Sequence, residues 1–215
     1  MKPEWITAIA SCIAATSVLF VAVQAYIAVK QLKSSHDHLR ADHERSRREN
    51  AINVVRQWTE TLNKSLPAAR KFVQQLSKAD CKKLLDRESF EVNGKYKSLL
   101  KHALHDVIDD EKELDPIGDK IMLSEKHLSE LLVLVVHHLN TLEVALLSWM
   151  NGVADRDIIE HEFKYLIRFD DGHYILENLR EVMAGKAKYP AIDSFVNHLI
   201  EEHKKNEPQP KERIA

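Results

Sequence analysis

The chain has few of the residues on which turn-rich, disulfide-bonded or strongly charged proteins depend. It contains 5 glycines and 6 prolines among 215 residues, which argues against a β fold with many tight turns. The formal net charge is −2, so the overall charge of the protein does not favour binding to nucleic acid. Cys12 and Cys81 lie in segments of different character. We therefore expect no disulfide framework, which fits a reducing cytoplasm.

Motifs that identify common enzyme chemistry are also absent from the sequence. There is no G-x-x-x-x-G-K-[ST] or G-x-G-x-x-G loop for phosphate, and no G-x-S-x-G elbow for a nucleophilic serine. Neither C-x-x-C nor H-E-x-x-H, the strong zinc patterns, occurs. The sequence therefore predicts no cofactor and no metal site.

What the chain does have is one long apolar segment near its start, Ile6–Val29, without a charged residue. As an α-helix these residues extend about 36 Å, enough to cross a hydrocarbon core of about 30 Å. A helix satisfies its own backbone hydrogen bonds in lipid. We therefore predict a single transmembrane helix, with the lipid bilayer as its partner.

The alternative interpretation of this segment is a cleavable signal peptide, because Ala22–Ala25 has the small-x-small form of a cleavage site. The apolar run is longer than a signal core, however, and its amino-terminal flank holds only Lys2 beside Glu4. The basic residues follow the segment instead: they are Lys30, Lys33, Arg40, Arg45, Arg47 and Arg48. The positive-inside tendency then predicts an inner (plasma) membrane protein with its amino terminus outside and its body in the cytoplasm.

The remaining sequence predicts an all-α fold in which a stalk leads to a helical bundle. We divide the chain into residues 1–29 (amino-terminal tail and transmembrane anchor), 30–50 (basic helical stalk), 51–203 (bundle of about six or seven helices) and 204–215 (disordered tail). Apolar residues recur every three to four positions through the bundle. Its helices are expected from Ala51 and at about 67–78, 82–86, 97–109, 125–150, 156–168, 173–183 and 190–203. Phe90–Gly94 is predicted to be a loop, since no second strand follows it.

The helix predicted at Glu125–Met150, after a capping Ser124, is apolar on most faces and is expected at the centre of the bundle with Leu131–Val136 buried. A polar strip interrupts it at steps of three residues: His137, Asn140 and Glu143. Unpaired buried polar groups cost about 1–3 kcal/mol, so partners are expected. The strip is either a polar pocket or general acid–base site inside the bundle, or a structural network that fixes helix register.

The histidines suggest possible metal ligands, but their spacing also fits ordinary exposed surfaces. His102, His105, Asp106 and Asp109 would share one face of a helix, where hard or borderline cations find suitable ligands. The outer face of an amphipathic helix needs the same spacing, and we favour that interpretation. The same applies to the stalk group of His36, Asp37, His38 and His43.

Arg156–His161 reads R-x4-H at the start of a predicted helix, with Asp157 after the arginine. This is similar to the motif of the helical HEPN ribonucleases. The resemblance implies that Arg156 would orient phosphate and His161 would assist the attacking 2′-hydroxyl, in a dimer. Arg168–His173 has the same spacing.

The layout of the whole chain also resembles a family of small bacterial membrane-anchored proteins of unknown function. The residues behind this resemblance are the helix beginning AINVVRQWTETLNKSLPAARKFVQQL and the segment Leu139–Phe163, with an Asn-x-x-Glu followed by a glycine turn and an acidic helix start. Asn140, Glu143, Gly152 and Asp155 match that pattern. The resemblance implies a shape and no established activity.

From these features we predict a non-enzymatic interaction module that holds a protein partner, or a second copy of itself, at the inner membrane. One alternative is a membrane-tethered ribonuclease that uses Arg156 and His161. A second alternative is a toxin-like or defence effector that acts through Ile6–Val29.

Overall fold

In the computed structural model, which describes residues 3–62, 65–108, 110–168, 173–183 and 189–206, most of the chain is helical. The α-helices are α1 Pro3–Thr61, α2 Ser65–Val73, α3 Lys78–Asp86, α4 Lys97–Ala103, α5 Glu125–Met150, α6 Arg156–Phe163, α7 Glu177–Met183 and α8 Pro190–Asn206. The strands are β1 Phe90–Asn93, β2 Lys120–Leu123, β3 Ile167–Arg168 and β4 His173–Tyr174. The prediction of a mainly helical protein is confirmed.

The chain divides into two compact units, residues 1–46 and 47–215. The first unit consists of the amino-terminal part of α1, which runs without a break through the predicted anchor and stalk. Large apolar side chains from Phe20 to Val29 are exposed along it. The membrane position of Ile6–Val29 remains a prediction.

The second unit begins with the carboxyl-terminal part of α1, which packs on the turn between α5 and α6. The backbone N–H of Asp155 donates to the Arg47 carbonyl at 3.0 Å, and Asn50 Nδ2 donates to the Val153 carbonyl at 3.3 Å. Further along the helix, Trp58 is buried in the core. The second unit therefore begins at Arg47, slightly before Ala51, where the sequence predicted the start of the bundle.

Helix α5 is the centre of the second unit and packs against α2, α3, α6 and α8. Its bounds are those predicted, and Leu131, Leu132, Leu134 and Val135 are buried, whereas Val133 is exposed. Among the residues whose side chains the structure describes, which exclude residues 3–15, 18 and 19 of α1, α5 is the one helix long and apolar enough to span a membrane, with 50% of its most apolar window buried. Core helices meet the same criteria, and the burial confirms the predicted central position.

Two short antiparallel strand pairs accompany the helices of this all-α fold, at positions where the sequence predicted no strand. Strand β1, predicted to be a loop, pairs with β2 in the register Phe90↔Leu123 and Val92↔Ile121. These four side chains are all buried, as the alternation of a one-sided strand requires. The second pair, β3 and β4, lies where the sequence predicted the end of one helix and the start of the next.

Several helix ends differ from the prediction because local caps and tertiary contacts decide them. Helix α2 ends at Val73, and α3 begins early, at Lys78, because the Ser77 hydroxyl accepts from the Asp80 N–H at 3.1 Å. Helix α4 ends at Ala103 instead of Asp109. At the carboxyl end, α8 continues to Asn206, so residues 204–206 do not belong to a disordered tail.

Three other predicted features lie wholly or partly outside the described residues. They are the turn at residues 170–172, the helix stop at Gly185 and the tail from residue 207 onward. Helix α1 ends at Thr61 and α2 begins at Ser65, two residues before the predicted start at about residue 67. The predicted cap at Asp155 is confirmed, because its side chain accepts from the Ile158 N–H at 3.4 Å.

One polar side chain is buried in the core without a partner. His138 on α5 packs against the Trp58 ring, with 5.0 Å between ring centroids, and neither of its ring nitrogens has a hydrogen-bond partner. Burial, with a smaller effect from Arg70, lowers the pKa of His138 to about 3. The folded state therefore holds this ring neutral, while the unfolded chain takes up a proton below about pH 6.5.

We expect His138→Leu to raise the free energy of unfolding near pH 7 by about 1–3 kcal/mol, because it removes an unpaired buried polar group. In the native sequence the unfolded state binds more protons as the pH falls from about 6.5 towards 3. Folding stability should then fall by up to about 1.4 kcal/mol per pH unit, and the substitution should reduce this slope. Urea unfolding of the full-length protein in detergent, followed by circular dichroism, measures both effects.

The matched control is His137→Leu, which makes the same change at the preceding, exposed position. It should leave the change of folding stability with pH unaltered. A His138→Leu variant that is less stable than the native protein, or equally acid-sensitive, would contradict the buried, unpaired state of this imidazole.

Candidate functional site

Glu143, one of the polar residues singled out on α5, binds the start of α8. Its Oε1 accepts from the Ala191 N–H at 2.9 Å, and its Oε2 accepts from the Ile192 N–H at 3.0 Å. The first N–H groups of a helix have no partner within the helix and carry partial positive charge. Glu143 therefore acts as an N-terminal cap supplied by a neighbouring helix.

The sequence around Pro190 explains why α8 needs such a cap. Pro190 has no N–H to donate, and Tyr189 before it lacks the short polar side chain of a usual capping residue. The Tyr189 hydroxyl instead donates to Asn140 Oδ1 at 3.2 Å. Burial, and then the charge of Glu143, raise the pKa of Tyr189. Asn140 and Glu143 thus hold the first turn of α8 against α5.

His137, the third member of the predicted strip, lies apart from this contact. Its side chain is exposed, and Asn140 is also mostly exposed although it accepts the Tyr189 hydroxyl. With Val133 and Val144 they form a stripe along α5 that the unit leaves uncovered. The strip therefore runs along the border between the core and the surface, and two of its three members join a structural contact.

Arg156 is bonded to the end of α5. Its Nε donates to the Trp149 carbonyl at 3.3 Å, and one terminal nitrogen donates to the Met150 carbonyl at 3.4 Å. The guanidinium also lies 5.3 Å from the centroid of the Trp149 ring. Cations stabilise the negative end of a helix and bind its last carbonyls, so this geometry gives Arg156 a capping role.

His161 is exposed on α6. It stands five residues after Arg156, which is about 140° around a helix, so the two side chains leave α6 in different directions. Arg168 and His173, the second pair with this spacing, are opposite each other in the β3–β4 register, and their side chains lie outside the described set. Within one chain, Arg156 and His161 therefore do not form a single site.

A carboxylate–imidazole pair that sequence reasoning missed connects α6 with α8. Glu160 Oε1 lies 3.1 Å from His198 Nε2 and accepts from Trp149 Nε1 at 2.8 Å. The Trp149 ring also packs edge-on against Phe195, with centroids 5.2 Å apart. A carboxylate can orient an imidazole for proton transfer, but here the same oxygen also holds a core tryptophan. The geometry fits a polar contact that joins three helices.

The helix expected to place His102, His105, Asp106 and Asp109 on one face ends at Ala103. Neither the alternative metal-ligand face nor the favoured exposed helix face therefore forms as expected. His105 Nδ1 lies 3.0 Å from Ser65 Oγ, and its Nε2 lies 2.9 Å from Asp106 Oδ1; Asp109 is outside the described residues. Across the described chain, including the stalk histidines of α1, no group of three or more His, Cys, Asp or Glu side chains is placed to hold a metal ion.

No protein-family model, curated protein or solved structure matches this chain. The two resemblances drawn from short sequence patterns remain predictions.

We expect Glu143→Ala to lower the free energy of unfolding by about 1–2 kcal/mol, because two backbone N–H groups at the start of α8 lose their acceptor. Hydrogen exchange at Ala191 and Ile192 should become faster, while exchange in the centre of α5 changes less. The exposed neighbour provides the control, since His137→Ala should change neither quantity. Equal effects of the two substitutions would contradict the capping role.

Arg156→Ala should cost roughly 1 kcal/mol of stability, from lost carbonyl and ring contacts. His161→Ala should stay within about 0.5 kcal/mol, as expected at an exposed position. Thermal unfolding of the two variants tests the assignment. The ribonuclease interpretation instead requires that His161→Ala abolishes RNA cleavage while the fold survives.

Proposed function

We propose that this protein is a single-pass membrane-anchored helical module whose body lies on the cytoplasmic face of a bacterial inner membrane and holds a protein partner or a second copy of itself. The observation that carries the proposal is the exposed apolar surface of α1. Phe20, Val21, Val23, Tyr26, Ile27 and Val29 are between 47% and 69% exposed.

The distribution of these residues favours lipid over a protein partner as their covering. At about 100° per residue, they point in directions spread around the whole circumference of the helix. A coiled-coil partner covers one stripe of a helix, whereas a helix that is apolar on all sides must be surrounded. A bilayer surrounds it on every side and requires no further protein.

The charge order along α1 supports the proposed orientation. The apolar part ends at Val29, and Lys30, Lys33 and Arg40 follow as exposed residues of the same helix. Cytoplasmic flanks carry an excess of lysine and arginine, and such residues are also attracted to anionic headgroups. The second unit, which follows in the chain, is then cytoplasmic.

The interaction role is supported by the uncovered stripe on α5. Val133, His137, Asn140 and Val144 follow each other at steps of four, three and four residues, and the two valines are 61% and 66% exposed. This spacing lets one helix pack along another. A helix of a partner protein, or α5 of a second copy, would cover this stripe.

The ribonuclease alternative has no comparable support. Arg156 is bonded to the carbonyls of Trp149 and Met150, which leaves fewer of its donors for a phosphate. The effector alternative shares the membrane span with our proposal and differs only in what the span does.

We expect the double substitution Phe20→Arg and Val23→Arg to move the protein from the membrane to the soluble fraction. Each arginine near the centre of a span costs about 2.5–3.5 kcal/mol in insertion. Carbonate extraction of membranes, followed by detection of the full-length chain, measures the change. Circular dichroism should show that the helical body persists.

The matched control is Ser34→Arg with Ser35→Arg, which adds the same charge to the stalk and should leave the protein in the membrane fraction. Persistent membrane association of the Phe20→Arg and Val23→Arg variant would contradict the anchor. Protection of the native body from an external protease in spheroplasts, with digestion after lysis, is expected from the proposed orientation.

A further inference from the structure

The exposed stripe on α5 has a residue pattern that reads the same from either end. Its members are Val133, His137, Asn140 and Val144. At 100° and 1.5 Å per residue, all four lie within about 60° of one another around the helix and extend about 16 Å along it. A valine stands at each end and a polar residue at each inner position. The stripe therefore matches itself when a second copy of the helix runs in the opposite direction.

An antiparallel pair of α5 helices brings these residues together in two kinds of contact. When the two-fold axis passes midway between His137 and Asn140, Val133 of one copy faces Val144 of the second copy. His137 then faces Asn140 of the second copy. Each contact occurs twice, because a two-fold interface uses the same surface of both subunits. Apolar contacts thus lie at both ends of the stripe and polar contacts at its centre.

The polar side chains at the centre are complementary as hydrogen-bond donor and acceptor. Asn140 Oδ1 accepts from the Tyr189 hydroxyl at 3.2 Å. Among the described residues, neither Asn140 Nδ2 nor the His137 ring has a hydrogen-bond partner. A neutral imidazole has one nitrogen that accepts. The Asn140 amide of each copy is therefore a donor for the His137 ring of the other.

A charged residue beside the stripe favours the antiparallel over the parallel arrangement. Glu130 lies one turn before Val133 and is partly exposed. In a parallel pair identical residues meet, so the two Glu130 carboxylates would lie side by side, and like charges at an interface repel. In the antiparallel pair these carboxylates are at opposite ends of the contact, about 25 Å apart along the helix axis.

We infer that α5 packs antiparallel against α5 of a second copy through Val133, His137, Asn140 and Val144. The inference rests on the proposed function, because it names the second copy as the partner and uses the anchor to hold both copies in one membrane. Four residues from each copy are fewer than the roughly 20–30 a side of a standard interface, so the contact is weak in dilute solution. Confinement to one membrane raises the effective concentration of the second copy.

Cysteine crosslinking in membranes tests the pairing and its direction. Two differently tagged full-length copies, both with Cys12→Ala, are expressed together. One carries Val133→Cys and the other Val144→Cys, while the native Cys81 is buried. Oxidation should join the two tags. Two copies that both carry Val133→Cys should join much less, since these positions are about 16 Å apart along the axis of the pair.

Paired charges provide a second test, measured by energy transfer between labelled full-length copies in lipid vesicles. Val133→Glu and Val144→Lys should each weaken self-association about tenfold, because each places an unpaired charge against a valine. The double variant should restore association, since the new carboxylate of each copy faces the new ammonium of the other. The matched control is Lys82→Glu at an exposed position of α3, which should have no effect. Circular dichroism should show that all variants remain folded.

Preferential joining of two Val133→Cys copies would show parallel packing and overturn the inference. Absence of any crosslink between copies, or a double variant no stronger than the single ones, would overturn it as well. Carbonate extraction of the same membranes separates this failure from failure of the anchor. A chain that stays in the membrane fraction without crosslinking contradicts only the α5 pair, whereas a native chain that leaves the membrane fraction contradicts the proposed function.

Discussion

Burial of α5 by its neighbours is the interaction on which the second unit depends. Helices α2, α3, α6 and α8 all pack against it, and its apolar side chains supply much of the core. Charged side chains then fix the adjoining helix ends: Glu143 caps the start of α8, and Arg156 binds the last carbonyls of α5. Glu143 and Arg156, which were candidates for a site from the sequence, thus satisfy helix termini at the border of the apolar core.

The sequence predicted α5 well because its signals are local. Ser124 stands before the apolar run, and Gly152, with a φ of +66°, stands after it, where a left-handed conformation ends a helix. Strands β1 and β2 were missed because each has four residues and they are far apart in the chain. Helix α4 ends early, at Ala103, and His105 beyond its end contacts Ser65, which periodicity does not reveal.

In the candidate site, too, the sequence pointed to residues with a local signal but not to their partners, which are distant in the chain. Asn140 and Glu143 stood out because polar residues interrupt an apolar helix, but their partners, Tyr189 and the backbone of α8, lie almost fifty residues later. Glu160 and His198 gave no local signal, since each belongs to an ordinary amphipathic helix.

We propose that lipid surrounds the amino-terminal part of α1. Nitroxide labels placed singly from Thr16 to His36 in the full-length protein, reconstituted in bilayers, would test it by electron paramagnetic resonance. If lipid surrounds the helix, the labels should show high oxygen accessibility at every position up to Val29, without a helical period. Accessibility to a water-soluble nickel chelate should rise after Lys30. Accessibility that oscillates every three to four residues would show that protein covers one face. High nickel accessibility before Val29 would show that the helix lies in water.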